Sequence, residues 1–350
     1  MKFKLDDGRR VAPFSVAPWA QEPAIQRDRK APDIIKVLRG DFFCMPFGGN
    51  STPFGRERHP VHGEAANARW KLESLDKTEL HLSLRTKIRK ARIDKTIALR
   101  AGQRAIYSRH VISQARGPMN LGHHAMLKFP DQPGSGVVST SRFVFGQVYT
   151  KPVELPENRG YSILKPGAEF NSIHRVPMIT GEMADLSRYP ARRGFEDLVM
   201  LVSDPDASFS WTAVTFPGQR YVWFAVKDPR VLANTILWLS NGGRHYAPWN
   251  SRHVNVMGLE EVTGHFHDGL AESAAENPIS RRGYRTCFEL DPARPLVVNY
   301  IMAVAAVPAG FDRVEAIEPT EGGVTLRSHS GQSVVAPLEL SFLEGRGSVT

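Results

Sequence analysis

The sequence predicts an all-β fold, a large antiparallel β-sandwich, on three observations. Most patterned segments alternate apolar and polar residues with period two, the repeat of a strand with one buried face. Turn-forming residues, 25 prolines and 29 glycines, are spread along all 350 positions rather than gathered in linkers. Helical signals are weak: GLAESAAEN (269 to 277) reads as one short helix.

The elements follow in order. TELHLSLRTK (78 to 87) sets Leu80, Leu82 and Leu84 on one face and His81, Ser83 and Arg85 on the other. RTKIRKARIDK (85 to 95), the one dense basic run, reads as a strand turning over with its charges outward. AIYSRHVIS (105 to 113) and GVVSTSRFVFGQVYT (136 to 150) read as strands, and SFSWTAVTFPGQRYVWFAVKD (208 to 228) as two strands joined at Pro217, Gly218 and Gln219. NTILWLS (234 to 240), HVNVMGLEEV (253 to 262) and the apolar PLVVNYIMAVAAVPAGF (295 to 311) complete the set. No linker, repeat or low-complexity tract divides residues 1–350, which are read as one domain of packed antiparallel sheets.

Composition narrows the function. With 41% hydrophobic and 23% charged residues the chain can build a sizeable core. The formal charge is +9, but apart from the run at 85 to 95 the basic residues are scattered, and no nucleic-acid motif accompanies them. Cys44 and Cys287 make neither a disulfide framework nor a zinc knuckle, which points to a reducing, cytoplasmic setting. MKFKLDDGRR at the start lacks the apolar core of a signal peptide. The longest apolar stretch is interrupted by Asn299 and two prolines, so no membrane span is expected.

Three polar stretches lack the pattern of ordinary core strands: HPVHGEAANARW (59 to 70), NLGHHAMLKFP (120 to 130) and NVMGLEEVTGHFHDG (255 to 269). Their chemistry is complementary, and they are read as one site. His123 and His124 offer imidazoles that work near neutral pH. Glu260 lies in an apolar run, where partial burial raises a carboxyl pKa toward that of a general base. Strand alternation sends Glu260 and its neighbour Glu261 to opposite faces, so only one of them faces the site. His265, His267 and Asp268, with His62 or His124, have the composition of a metal shell. Yet no HExxH or repeated Cys/His spacing supports one, and no metal or other cofactor is expected. GxSxG is missing, neither cysteine has an activating context, and FGGNSTPFG (47 to 55) lacks the lysine and helix of a phosphate loop.

The segment FFCMPFGGNSTPFGRERHPVHGEAANARWKL (42 to 72) resembles the signature of the aldose 1-epimerase, or galactose mutarotase-like, superfamily, most nearly its hexose-6-phosphate 1-epimerase branch. The run from His62 through Trp70 keeps that branch's His, Gly, Ala, Asn and Trp positions. NLGHHAMLKF sits where the family has its second histidine, and GLEEVTG where it has its late glutamate, with APWN (247 to 250) ahead of it. The resemblance implies a sandwich of the mutarotase type and a sugar substrate. It implies His124 as acid on the ring oxygen and Glu260 as base on the anomeric hydroxyl, from opposite sides of one ring. It further implies substrate contacts from His62, Asn67 and His123, and stacking on Trp249 or Trp70. Ala66 stands where that branch has arginine, and Ala125-Met126 where the family has Thr-Tyr. Two other readings therefore stay open: a carbohydrate-binding protein without turnover, and an isomerase or lyase for a modified or acidic sugar. The net charge and Arg56, Arg58 and Arg69 suit the latter.

Overall fold

Period-two alternation resolves into two large antiparallel sheets in the computed structural model, which describes residues 1–345; residues 346–350 of the expected domain lie outside the described residues. Strand accounts for 44% and helix for 10% of the chain. The nine-stranded sheet runs, edge to edge, Arg188–Tyr189, Gly136–Thr140, Ser210–Phe216, Tyr221–Lys227, Leu296–Ala306, Ala105–Ser113, Ala91–Ala98, Glu79–Thr86 and Lys71–Leu75. The seven-stranded sheet runs Glu169–Phe170, Phe143–Val148, Phe195–Ser203, Asn234–Asn241, Val256–Thr263, Leu121–Lys128 and Asp41–Cys44.

Alternation along single strands assigns the layers. In Leu296–Ala306, Val298, Tyr300, Met302 and Val304 enter the core between the sheets, whereas Ile301, Ala303 and Ala305 face outward. The outward row is covered by a small C-terminal sheet, Val314–Thr320, Gly323–Ser328 and Ser333–Pro337, through Ile317, Val324 and Leu326. A strand covered on both faces reads as a continuous apolar run, which is why this segment looked almost like a membrane span. Among the described residues no helix is long and apolar enough to cross a membrane. On the far side, the outer face of the seven-stranded sheet is covered by N-terminal and loop residues, among them Trp19, Ile34, Phe47, Trp249 and Phe266. Each fully buried large apolar side chain contributes about 1.5–3 kcal/mol relative to exposure.

Two expectations change. Residues 136 to 150 are two strands in different sheets, because Ser141 and Arg142 carry the chain from one sheet to the other. The charges of the 85 to 95 turn are not all outward: Lys95 folds over the Trp70 ring at 5.3 Å, since alternation places it on the core side with Ile93. The first polar stretch, which lacks a strand pattern, forms a short helix, Gly63–Asn67. The expected helix near 270 is present as Leu270–Ala274.

Candidate active site

Register between two inner strands of the seven-stranded sheet fixes the reacting groups. Val256–Thr263 pairs antiparallel with Leu121–Lys128 so that Glu260 stands opposite His124 and Glu261 opposite His123. Directly opposed side chains share a face. Glu260 and His124 therefore face the outer layer together, with Glu260 Oε1 3.3 Å from His124 Nε2 and both residues buried. They form one wall of a cavity of about 630 Å³, a volume typical of small-molecule sites.

His124 is held by aromatic packing: Phe42 stacks on it at 4.6 Å between centroids, and Trp238 meets it edge-on at 5.9 Å. His62 meets it edge-on at 4.9 Å. Burial pulls the His124 pKa down to about 3 and pushes the Glu260 carboxyl well above its usual range, opposed by the nearby Arg244 charge. Both shifts favour the neutral forms. Among the described residues neither Glu260 oxygen nor His124 Nδ1 has a hydrogen-bond partner. Buried polar atoms are seldom left so, and these face a cavity that can take a polar ligand.

Gly258 leaves the space in which the carboxylate sits. A Cβ there would lie 2.5 Å from Glu260 Oε1 and 3.2 Å from Trp238. Gly258→Ala is expected to displace the carboxylate and to slow any turnover that uses it at least about tenfold, since an ångström of misplacement can cost more than that. A kinetic assay on the purified variant, with its Tm, checks this; unchanged rates would show that the carboxylate position is not critical.

The His-Gly pair at 62 and 63 is a backbone device. His62 is left-handed, φ 59° and ψ 16°, and Gly63 follows at φ 72°, where a Cβ would fall 2.0 Å from the Met45 carbonyl oxygen. That turn brings His62 into the cavity, with Nδ1 3.5 Å from the Cys44 thiol, and burial depresses its pKa. The FGGN segment serves a similar end. Gly49 N–H donates to the His267 carbonyl and Asn50 N–H to that of Asp268, fastening the 265 to 269 loop so that His267 lines the cavity.

Two expected contacts lie elsewhere. His123 faces the core between the sheets, with Nδ1 2.8 Å from Asp41 and its ring 4.3 Å from Tyr300, because neighbours in a strand point to opposite faces. Asn67 ends the short helix: its amide donates to the Val61 and Gly63 carbonyls and accepts from the Ile34 N–H, clamping the turn that carries His62. Trp70 packs on the inter-sheet core, whereas Trp249 lines the cavity. His265 and Asp268 pair with each other at 2.9 Å, and among the described residues no group of three or more His, Cys, Asp or Glu side chains is arranged to hold a metal ion. Arg56, Arg58 and Arg69 are exposed and outside the cavity.

Cavity-lining residues that sequence reasoning did not name as substrate contacts are His267, Trp238 and Arg244. Trp238 donates its indole N–H to Glu196, a buried carboxyl pushed up to about 7 by desolvation, and stacks on His253. His267 was visible in the His-Phe-His motif; nothing local marks Trp238 or Arg244.

No protein-family model and no curated protein matches the sequence. Solved structures do match in fold. A candidate aldose 1-epimerase of Escherichia coli K12 superposes with a TM-score of 0.54 at 12% identity over 79% of this chain and 86% of that one. One from Klebsiella pneumoniae gives 0.51 at 13% identity, over 80% and 67%. A galactose mutarotase-like protein of Lactobacillus casei gives 0.50 at 10% identity, over 77% and 86%. The chain thus has the galactose mutarotase-like sandwich fold that its sequence motifs resemble.

Proposed function

We propose that the cavity binds an aldose and interconverts its anomers, with Glu260 and His124 exchanging one proton for another across the sugar's C1. The observation that carries the reading is the contact of the two groups, 3.3 Å apart, with both Glu260 oxygens and His124 Nδ1 lacking a hydrogen-bond partner among the described residues. The anomeric hydroxyl oxygen and the ring oxygen are both attached to C1, so an acid and a base side by side can reach both. Placement on opposite sides of the ring is not required.

In the opening step His124 Nε2 takes the proton of the O1 hydroxyl while the Glu260 carboxyl delivers its own to O5. The C1–O5 electron pair leaves with O5, and the O1 pair closes the carbonyl. Opening leaves imidazolium beside carboxylate, an ion pair in contact. Rotation about C1–C2 presents the other carbonyl face; O5 then attacks C1, returns its proton to Glu260, and O1 takes the imidazolium proton. Each group is acid in one half and base in the other; His124 works on O1 and Glu260 on O5 throughout, the reverse of the sequence-based pairing of glutamate with the anomeric hydroxyl and histidine with the ring oxygen. His62 and His267 are placed to hydrogen-bond ring hydroxyls, and Trp249 to take an apolar ring face.

Only the state with one proton on the pair is active, and its pH range follows from the two shifts. A second proton is added only as pH falls toward about 3, where His124 titrates. The single proton is lost only above the raised Glu260 pKa. Enzyme-dependent exchange, measured by saturation transfer between anomer resonances and corrected for buffer catalysis, is expected to stay flat through pH 5–6. An acid limb centred near the ordinary imidazole value of about 6.5 would contradict this assignment.

A further inference from the structure

Arg244 stands beside the reacting pair with no part in the proton exchange. Its guanidinium lies across the faces of Trp249 and Trp238, 4.4 and 5.0 Å from the ring centroids. Its Nε is 2.7 Å from a Glu154 oxygen that also accepts from the Tyr246 hydroxyl, and 4.0 Å from Glu196. Stacked on two indoles and ion-paired with Glu154 at its Nε, without hydrogen-bond geometry there, the group is held in one orientation. The residue lines the cavity and its charge reaches Glu260, His62 and His267. A rigid two-donor fork facing an enclosed site fits a planar two-oxygen acceptor.

We infer that Arg244 recognises a carboxylate on the substrate, so that the sugar is of the uronic acid type; this rests on the anomer-exchange reading of the same cavity. The ring position supports it. With O5 at the acid–base pair, a carboxylate carried on C5 is one bond from the ring and next to that pair, where Arg244 lies. A phosphate on O6 hangs farther out and brings up to two negative charges beside Glu154 and Glu196. Lys30 and Lys151 line the same cavity, so the position of the carboxylate on the ring, rather than a count of charges, favours it over the phosphate.

The test compares D-galacturonate and D-glucuronate with the parent aldoses and their 6-phosphates, by saturation-transfer exchange, in wild type, Arg244→Lys and Arg244→Gln, with Tm recorded. Wild type is expected to favour a uronate over its aldose and its 6-phosphate by at least about thirtyfold in kcat/KM. Arg244→Gln should shrink the uronate-to-aldose ratio at least about tenfold, with Arg244→Lys between, since lysine keeps charge but loses the fork. A variant that merely loosens the fold slows both sugars and leaves the ratio where it was. Preference for aldose or 6-phosphate, or a ratio unmoved in Arg244→Gln, overturns the inference. Methyl uronosides, which cannot open, separate the two readings. Their Arg244-dependent binding, with no exchange of any free sugar, leaves this inference standing while the epimerase reading falls. Brisk exchange of neutral aldoses without a uronate preference does the reverse.

Discussion

Lys227→Met is expected to destabilise the protein by about 3–5 kcal/mol, a fall in Tm on the order of 10 °C, although the residue is remote from the cavity wall. Lys227 is buried between the sheets, where its ammonium lies 2.5 Å from Glu261 Oε2 and donates to the Asn234 carbonyl and the Thr235 hydroxyl. Glu261 in turn accepts from the hydroxyls of Thr212 and Thr235 at 2.5 and 2.6 Å. Burial pulls the Lys227 pKa below its usual range, opposed by the Glu261 charge. Removing either partner strands a charge in the core, so Glu261→Gln should cost a similar amount. The sequence places Glu261 away from the site, which agrees with the register, but a residue turned from the cavity here is turned into the core. The double variant Lys227→Met/Glu261→Gln is expected to regain a large part of the loss, because no charge is then stranded. Thermal unfolding of the four proteins checks this, and simple additivity of the two losses would contradict it.

Glu260→Gln is expected to slow anomer exchange at least about a hundredfold, and His124→Asn likewise, the usual scale of a positioned acid or base. The amide replaces a carboxyl whose charged form burial disfavours, so Tm should hold within a few degrees in Glu260→Gln. The double variant should be hardly slower than either single one, because two groups that pass protons as a pair fail as a pair. Independent, multiplying losses would mean that the two do not act together. Full activity in both single variants would place the chemistry elsewhere.

The strands were legible wherever one side of the sheet differs from the other. Residues 105 to 113 match the strand Ala105–Ser113, and 78 to 87 bracket Glu79–Thr86, because period-two burial is written into such segments. The split at Ser141 and Arg142 was not legible, since a strand that changes sheets keeps its alternation. The Glu260–Glu261 alternation was read correctly. The same rule, applied to His123 and His124, already forbids both from facing the cavity, and the structure obeys it. Asn67 was misread because the first polar stretch is a turn and a helix, in which short-range hydrogen bonds, rather than strand faces, decide where an amide goes. Arg244 and Trp238 escaped for another reason. Their role depends on a loop near 244 to 249 folding over the sheet beside Glu154 and Glu196, and that meeting of distant segments leaves no local pattern.

The measurement that bears most directly on the central claim is saturation transfer between the α and β anomers of a bound-and-released sugar, with wild type beside Glu260→Gln. The account predicts transfer that scales with wild-type concentration, persists at pH 5–6 and falls at least about a hundredfold in the variant. Sugar binding by wild type without any transfer would contradict it and make the cavity a binding site only.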